Sequence, residues 1–378
     1  MSHTLFLVAA ETSGDICGAG LVRALRERAP DLALFGYGGS HMAQAGVEVV
    51  RDLTHHAAVG VAESLRSFGE FNRARLDGFR LLDRRRPDAL VLIDSPELNL
   101  RLARAAHARG IPVVYYIAPQ VWAWGRWRVK TIRRCVTKLL VILPFEPAFY
   151  AQHGVQATFV GHPLVDALRD YRHDRHLAAT LGLPDDRPLI GLLPGSRQRE
   201  ISRLLPILLD AAHIIHRNLE DITVAVAPAP TIPPEQYGTW PAMSRDDLHL
   251  FPGRTHELMA AADLLLVASG TATLEAGIIG TPMIVTYQMS PLSWLFARVF
   301  ARGLRYCSLV NLVAGRELVP EFLQSFCTPG KIAERAVSFF RDGGLVETAD
   351  ALAHEIRPRL GEPGAAGRAA DEILALLG

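Results

Sequence analysis

The chain has 378 residues, of which 49% are hydrophobic, and it carries 40 Lys and Arg against 39 Asp and Glu. This length exceeds one typical hydrophobic core and predicts two domains, while the composition excludes a disordered chain. The formal net charge of +1 excludes a globally basic nucleic-acid binder.

The sequence contains no metal-ligand cluster, since neither the four cysteines nor His55, His56 and His162 have the required spacing. We interpret these histidines as structural and expect the cysteines to be small buried residues in a reducing compartment. The chain shows neither a signal peptide at its start nor an apolar run as long as a membrane span. A cytoplasmic location is therefore expected.

Apolar runs alternate with amphipathic segments along the first half, which predicts a parallel α/β architecture. The strands expected there are 5–10, 32–37, 89–93, 111–117, 138–143 and 157–160. Helices are expected over about 16–28, over 65–86 and in a segment that ends at His107.

A second α/β set follows Gly161-His162-Pro163, and the charged stretch 169–187 is interpreted as a surface hairpin or linker. The strands expected in this half are 188–193, 223–227, 248–251, 264–268 and 283–287. Helices are expected after the first of these strands, to about residue 217, and over 369–377. Two such halves predict loops at the carboxyl ends of strands as the carriers of chemistry.

The stretch 262–279 contains an apolar run long enough for a buried strand, and Ser269, Gly270 and Thr271 then supply a tight turn and a helix start. Such a corner directs backbone N–H groups and the positive end of a helix at one point, which suits a phosphate. Glu275, one turn into the helix, could reach hydroxyls of an attached sugar. Taken alone, the stretch is equally compatible with an ordinary strand–helix junction.

Two loops of the first half also carry polar groups. Glu11-Thr12-Ser13-Gly14-Asp15 follows the first strand and is equally compatible with function and with a capped helix start. Asp94 follows the strand 89–93, where an acid facing a cleft can be a general base. Local sequence alone favours the other interpretation, a helix N-cap held by backbone donors.

Two loops of the second half carry candidate nucleotide ligands. Gly195-Ser196-Arg197-x-x-Glu200 follows a strand through a Pro-Gly turn, and an arginine in the first helical turn would add a forked cation to the N–H groups there. Together these groups suit a diphosphate. Asn311 offers an amide able to read a base or sugar edge, with a turn residue as the alternative.

Two acid-free stretches, 121–138 and 276–316, interleave aromatic and basic residues. This pattern suits an interface helix on an anionic membrane. Single-stranded nucleic acid is a second interpretation, and core packing with solvated arginines is a third.

Eight short motifs, in the same order along nearly the whole chain, resemble the lipid-A-disaccharide synthase family. The matching residues are Glu11-Thr12-Ser13-Gly14-Asp15, Ile93-Asp94-x-Pro96 with Asn99, Pro119-x-Val121-Trp122-Ala123-Trp124, Leu143-Pro144-Phe145-Glu146, Gly161-His162, Leu193-Pro194-Gly195-Ser196-Arg197-x-x-Glu200, Ser269-Gly270-Thr271-Ala272-x-Leu274-Glu275 and Asn311-Leu312-x-Ala314-Gly315-Arg316-Glu317-Leu318. The resemblance implies the α/β GT-B glycosyltransferase architecture, with two Rossmann-like domains, a cleft between them and C-terminal helices that return to the N-terminal domain. The expected domains are 1–166 with about 346–378, on the acceptor side, and 186–345, which binds the UDP-sugar.

The resemblance also implies a reaction. An inverting transferase moves 2,3-diacylglucosamine from UDP-2,3-diacylglucosamine to the 6-hydroxyl of 2,3-diacylglucosamine 1-phosphate, releasing UDP and a β-1,6-linked disaccharide 1-phosphate. By similarity, Asp94 is the base, and Arg197 with the two helix-start loops neutralises the diphosphate without a metal or other cofactor. Glu275 would hold the ribose, and Asn311 would belong to the nucleotide site. The other substrate- and UDP-binding residues so implied are Glu11, Ser13, Gly195, Ser196, Glu200, Ser269, Gly270, Thr271 and Ala272.

Both substrates of the family are lipids of the inner leaflet, so the resemblance implies peripheral attachment to the inner face of the inner membrane. We predict contact near Trp122, Trp127, Trp294 and Phe296. No nucleic-acid partner is expected, and a homodimer is compatible with the sequence.

The chain departs from the family pattern at four positions. Glu97 and Leu98 stand where Asp and Phe are common, and Val59 and Ala62 are smaller than the usual residues. These changes leave the nucleotide motifs intact and bear on acyl preference and the acceptor. The alternative functions are a GT-B glycosyltransferase that uses another lipid-linked acceptor, such as a polyprenyl-linked sugar, and a non-catalytic sugar-nucleotide-binding protein.

Overall fold

The computed structural model of the protein describes residues 3–54, 61–219, 221–228, 248–290, 294 and 305–378, with the backbone alone for 61–68. His55, His56, Val59 and Phe296 lie outside the described residues, as does the side chain of Ala62. The chain forms two compact units, one of Met1–Asp166 with Gly361–Gly378 and one of Ala167–Leu360.

The first unit contains one parallel sheet of seven strands in the order β3-β2-β1-β4-β5-β6-β7. The strands are β1 (Thr4–Ala9), β2 (Ala33–Gly38), β3 (Glu48–Asp52), β4 (Ala89–Ile93), β5 (Val113–Tyr116), β6 (Lys138–Val141) and β7 (Ala157–Phe159). The helices are α1 (Thr12–Arg28), α2 (Ser40–Gln44), α3 (Val61–Arg85), α4 (Pro96–His107), α5 (Val129–Cys135), α6 (Glu146–Ala151) and α7 (Pro163–Ala167), which runs across the boundary.

The second unit contains a parallel sheet of six strands in the order β10-β9-β8-β11-β12-β13. The strands are β8 (Leu189–Leu193), β9 (Thr223–Val226), β10 (Leu248–Leu250), β11 (Leu264–Ala268), β12 (Met283–Tyr287) and β13 (Glu321–Leu323). The helices are α8 (Leu177–Thr180), α9 (Gln198–Leu219), α10 (Thr255–Ala261), α11 (Thr271–Ile279), α12 (Leu309–Ala314), α13 (Pro329–Arg341) and α14 (Gly344–Arg359). The last helix of the chain, α15 (Ala365–Leu377), belongs to the first unit.

Both sheets are covered on two faces, which is why their strands are continuous apolar runs rather than alternating ones. In β1, Phe6 packs against Phe35, with ring centroids 4.9 Å apart, on one face. Leu5 and Leu7 pack on the other face in the same cluster as Leu21 of α1. Full burial of such side chains stabilises the unit by about 1.5–3 kcal/mol each.

Each sheet reverses its winding direction at one point, between β1 and β4 in the first unit and between β8 and β11 in the second. Ligands of open parallel sheets bind outside the carboxyl ends of the strands at such a switch point. In the first unit, the loops at this position begin at residues 10 and 94, and in the second unit at residues 194 and 269. The topology therefore places the predicted loops after β1 and β4 side by side in the first unit, and those after β8 and β11 side by side in the second.

The structure corrects three expectations about the fold. Helix α14 belongs to the second unit, since Ile356 packs near Gly277 of α11, so the return to the first unit begins at residue 361 and not near 346. The charged stretch 169–187, for which a hairpin or a linker was expected, contains the one-turn helix α8 and no strand, so the hairpin interpretation is wrong and the linker interpretation is retained. Cys307 is exposed rather than buried.

Candidate active site

Asp94 lies directly after β4, and its backbone conformation is unusual. Asp94 and Ser95 have φ values of +50° and +43°, a region that residues other than glycine rarely adopt. Ile117, after the neighbouring strand β5, also has a positive φ of +59°. Strained backbone of this kind concentrates at functional sites, and here it marks the carboxyl ends of two adjacent strands.

Two side chains hold the Asp94 main chain. The Asp94 carbonyl oxygen accepts a hydrogen bond of 2.6 Å from the Tyr115 hydroxyl and one of 2.7 Å from the Asn99 amide. The same amide donates to the Ile93 carbonyl at 3.0 Å. Asn99, which belongs to the motif predicted from sequence, therefore acts on the backbone.

The Asp94 carboxyl group is partly buried, and this burial is the largest cause that raises its pKa, to about 6. The negative charges of Glu11 and Glu97 raise the pKa further, whereas the backbone N–H of Ser95 lowers it. A carboxyl group with such a pKa can accept a proton near neutral pH and still be ionised when the reaction begins.

The loop after β1 brings Glu11 and Ser13 to the same edge of the sheet, where both are exposed. Asp15 of the same motif has a different task, because it is 1% exposed and accepts hydrogen bonds from the backbone N–H groups of Gly39, His41 and Met42. These bonds lower its pKa although burial alone would raise it. Asp15 therefore fixes the start of α2, a role that sequence reasoning missed.

Trp122 does not lie on the surface, so the predicted membrane contact at this residue is wrong. Its side chain is 5% exposed, and its indole N–H donates to Glu146 at 3.1 Å. Glu146 also accepts from the backbone N–H groups of Ile142 and Leu143, and burial raises its pKa to about 7. The buried hydrogen bond between Trp122 and Glu146 therefore holds the loop that contains Trp122 against the start of α6.

The exposed tryptophans of this segment are Trp124 and Trp127, at 51% and 60%. The Arg128 guanidinium lies 4.7 Å and 5.8 Å from their ring centroids and donates to Glu97 at 2.8 Å. Trp294 is half-buried.

The second unit places Gly195, Ser196, Arg197 and Glu200 at the junction of β8 and α9. Gly195 has a φ of +111°, and a Cβ atom there would lie 2.7 Å from the Glu200 carboxylate, so only glycine fits. Glu200 accepts from the Ser196 N–H at 3.3 Å and from Arg197 at 3.1 Å. The Arg197 side chain is 80% exposed.

The neighbouring junction, of β11 and α11, contains Ser269, Gly270, Thr271 and Ala272. Gly270 is the N-cap of α11 and has no side chain to accept from the first N–H groups of the helix. The Ser269 hydroxyl lies 3.3 Å from the Cys307 carbonyl oxygen, to which it donates. The amino end of α11 therefore keeps donors for an anion.

Glu275, the predicted ribose ligand, lies one turn further along α11 and is paired. Its carboxylate lies 3.3 Å from the His256 ring nitrogen, and this hydrogen bond is the main cause that raises the pKa of His256. The ring of Tyr171 packs against the same imidazole, with centroids 5.4 Å apart.

Asn311 is not available to a nucleotide, which corrects the prediction from sequence. The residue is fully buried, and its amide nitrogen donates to Val319 O and to Glu321, each at 2.8 Å. Its oxygen accepts from the N–H groups of Leu318 and Val319. The amide therefore ties α12 to the start of β13 and has no remaining donor.

Among the described residues, no group of three or more His, Cys, Asp and Glu could hold a metal ion. His162 is buried and accepts from the Leu164 N–H at 3.1 Å, and burial lowers its pKa to about 4. Within the same part of the chain, none of the helices combines the length and apolar character needed to cross a bilayer.

Solved structures with this fold define the class. A putative UDP-N-acetylglucosamine 2-epimerase from Listeria monocytogenes has a TM-score of 0.64 at 16% identity, covering 100% of this chain and 96% of its own. The glycotransferase of kitacinnamycin has a TM-score of 0.65 at 15% identity, with full coverage of both chains. The fold is thus the GT-B architecture of two Rossmann-like units, as predicted.

A sequence model of the lipid-A-disaccharide synthetase family matches residues 5–362. The lipid-A-disaccharide synthase of Myxococcus xanthus is 41% identical over 99% of this chain and 97% of its own, and that of Geobacter sulfurreducens is 37% identical over 100% and 98%. The chain belongs to the lipid-A-disaccharide synthetase family. This membership confirms the predicted family and the predicted glycosyltransferase activity.

Proposed function

We propose that this chain transfers 2,3-diacylglucosamine from UDP-2,3-diacylglucosamine to the 6-hydroxyl of 2,3-diacylglucosamine 1-phosphate. The products are a β-1,6-linked disaccharide 1-phosphate and UDP. The observation that carries the mechanism is Asp94, a partly buried carboxyl group with a pKa of about 6 at the switch point of its sheet.

Asp94 is the general base. Its carboxylate takes the proton of the acceptor 6-hydroxyl while that oxygen attacks the anomeric carbon from the face opposite UDP. The bond between this carbon and the UDP oxygen breaks in the same step, so one displacement inverts the anomeric centre. Glu11 and Ser13, exposed at the adjacent loop, contact the substrate on this side.

Arg197 and the amino ends of α9 and α11 stabilise the departing diphosphate. The positive end of the helix dipole favours an anion at each of these ends, and Arg197 adds a bidentate cation. Ser196, Ser269, Gly270, Thr271 and Ala272 supply the backbone around the phosphates, and Glu275 holds the ribose.

We assign the charge compensation to these groups rather than to a metal cofactor. Arginine and oriented N–H groups can stabilise a leaving diphosphate in the way that a divalent cation does. Turnover should therefore be unchanged when EDTA is added to enzyme and substrates. A loss that Mg²⁺ restores would contradict this assignment.

Product analysis by mass spectrometry tests the function. Incubation of the protein with both diacylglucosamine substrates should give UDP and a tetraacyl disaccharide 1-phosphate in equal amounts. A parallel reaction offers a polyprenyl-linked sugar as acceptor. Product formed only in the parallel reaction would establish the alternative glycosyltransferase, and UDP-sugar binding with no product in either would establish the non-catalytic one.

The two substrates are lipids, and we assign membrane attachment to the face around Trp124 and Trp127. Exposed indoles beside cations suit the interface of an anionic membrane. The basic residues exposed on this segment are Arg126, Lys130, Arg133 and Arg134. We propose that the protein attaches in this way to the inner face of the inner membrane.

Vesicle sedimentation tests this face. Vesicles containing phosphatidylglycerol should bind the protein at low salt, and the double change of Trp124 and Trp127 to Ser should weaken binding at least tenfold, because two indoles leave the interface. Phe326→Ser is the matched control, since Phe326 is an aromatic residue of the second unit with 61% exposure. Equal binding by both variants would contradict the assignment.

A further inference from the structure

We infer that Tyr115 is a positioning residue for Asp94: its buried hydroxyl, together with the Asn99 amide, fixes the peptide between Asp94 and Ser95. The orientation of this peptide determines where the Asp94 carboxylate points. The inference rests on the proposed role of Asp94 as the base.

Two buried side chains of the first unit hold the peptide group between Asp94 and Ser95. The carbonyl oxygen of Asp94 accepts from the Tyr115 hydroxyl at 2.6 Å and from Asn99 at 2.7 Å, so both of its lone pairs are used. Tyr115 lies on β5, where it pairs in register with Leu92 of β4, and it is fully buried. Its position is therefore set by the sheet itself.

The backbone at this point needs such support. The left-handed conformations of Asp94 and Ser95 are strained for residues other than glycine. Ser95 is 5% exposed, and its hydroxyl has no hydrogen-bond partner among the described residues, so it does not cap α4. The bonds from Tyr115 and Asn99 are thus the side-chain contacts that hold the turn.

The fixed peptide also acts on the carboxylate electrostatically. With its carbonyl turned towards Tyr115, the peptide presents the Ser95 N–H to the Asp94 carboxylate, and this hydrogen bond lowers the pKa of Asp94. The other groups that face this carboxylate are Glu11 from the loop before α1, Cys17 from α1, and Glu97 from α4, whose charge is paired with Arg128.

The test is Tyr115→Phe, which removes one hydroxyl and leaves the ring. Loss of one hydrogen bond should lower kcat about threefold to tenfold, with an unchanged KM for the UDP-sugar, because the nucleotide motifs lie in the other unit. The acid limb of the pH–kcat profile should move upward by about half a pH unit as the Ser95 N–H is released.

Tyr37→Phe is the matched control. Tyr37 is also fully buried in the first unit, and its hydroxyl donates to a backbone carbonyl, that of Ala74, at 2.9 Å. Both variants lose the same kind of bond and should unfold at similarly lower temperatures. Only Tyr115→Phe should change kcat and the pH profile. The inference is wrong if the two variants agree in both.

Asp94→Asn separates this inference from the proposed function. If Asp94→Asn retains full turnover, the proposed base is wrong. If it is inactive while Tyr115→Phe behaves like Tyr37→Phe, the function stands and the positioning role is wrong. Adding Tyr115→Phe to Asp94→Asn should cause no further loss of residual kcat, since Tyr115 acts through Asp94; an undiminished further loss would overturn the inference.

Discussion

The corner around Asp94 and the corner around Arg197 both lie at the switch point of a parallel sheet, after β4 in the first unit and after β8 in the second, but they are built differently. Asp94 is partly buried, and its main chain is fixed by Tyr115 and Asn99. Arg197 is 80% exposed, and its described partner is Glu200 at 3.1 Å. One corner is therefore rigid before any ligand arrives, and the other is open.

The difference follows from the chemistry assigned to each corner. Proton transfer requires a carboxylate within hydrogen-bond distance of one hydroxyl and a pKa adjusted by burial. Binding of a diphosphate requires a cation that can exchange its partner for the ligand. The Arg197–Glu200 ion pair, in which the Arg197 side chain is 80% exposed, contributes only about 0–1 kcal/mol. A diphosphate, with two charges and a bidentate geometry, can replace Glu200 at small cost.

The largest effect should come from removing the base. Asp94→Asn should lower kcat about 100- to 10,000-fold, the usual contribution of a positioned general base, with little change in UDP binding. In the unchanged protein, kcat/KM should rise with pH through about 6, the pKa of Asp94, and level off above it, because the base acts in its ionised form.

Asp88→Asn is the control for that change, since Asp88 lies at the opposite end of the same strand and accepts from the Thr4 N–H at 2.7 Å. It should leave kcat and its pH profile unaltered. Steady-state assays over pH 4.5–9 check both variants. If the acid limb persists unchanged in the residual activity of Asp94→Asn, another group provides the base.

A smaller effect should follow at the open corner. Arg197→Ala should lower kcat about 100-fold through the lost stabilisation of the leaving diphosphate, and UDP should inhibit the variant more weakly. Arg203→Ala, an exposed arginine further along α9, is the matched control and should behave like the unchanged protein. Equal turnover of the two variants would remove Arg197 from the site.

The smallest effect concerns Glu146, the buried partner of Trp122 in the first unit, and is measured as a change in the free energy of unfolding. The pKa of Glu146 rises from 4.5 in the unfolded chain to about 7 in the folded one. Between these values the folded chain holds a proton that the unfolded chain has released, so the contribution of this group to the free energy of unfolding falls as pH rises.

Glu146→Gln should therefore cost more stability at pH 5 than at pH 8, by about 2–3 kcal/mol. Urea unfolding at the two pH values measures the difference. Glu48→Gln is the control, because Glu48 is exposed and its pKa is lowered by Arg85. A cost of Glu146→Gln that is the same at both pH values would show that this carboxyl group stays ionised in the folded chain.

Local pattern was sufficient to predict the strands that carry the site. The apolar runs 89–93, 264–268 and 283–287 coincide with β4, β11 and β12 residue for residue, because a strand buried on both faces needs an unbroken apolar sequence. The short strands β3 and β13 are missing from the prediction, because each begins with a charged residue and contains only two consecutive apolar residues.

Side-chain roles within a motif were harder to predict than the motif itself. Asp15, Trp122 and Asn311 all belong to matching motifs, yet each is buried and bonded within the protein. A sequence gives the residue type and its neighbours, but the partners of these three side chains lie seven to 27 residues away. Only the folded structure shows whether such a side chain binds the substrate or stabilises the protein.

The first unit is discontinuous in sequence, because it includes residues 361–378, and this affects how the chain folds during its synthesis. Ala369, Ala370 and Ile373 of α15 are fully buried in the same core as Leu21 and Leu25 of α1. The second unit, continuous from 167 to 360, can fold as soon as it emerges from the ribosome. The first unit, although synthesised earlier, lacks α15 until the second unit has been made, so the part of its core that α15 covers beside α1 stays exposed and the first unit is completed last.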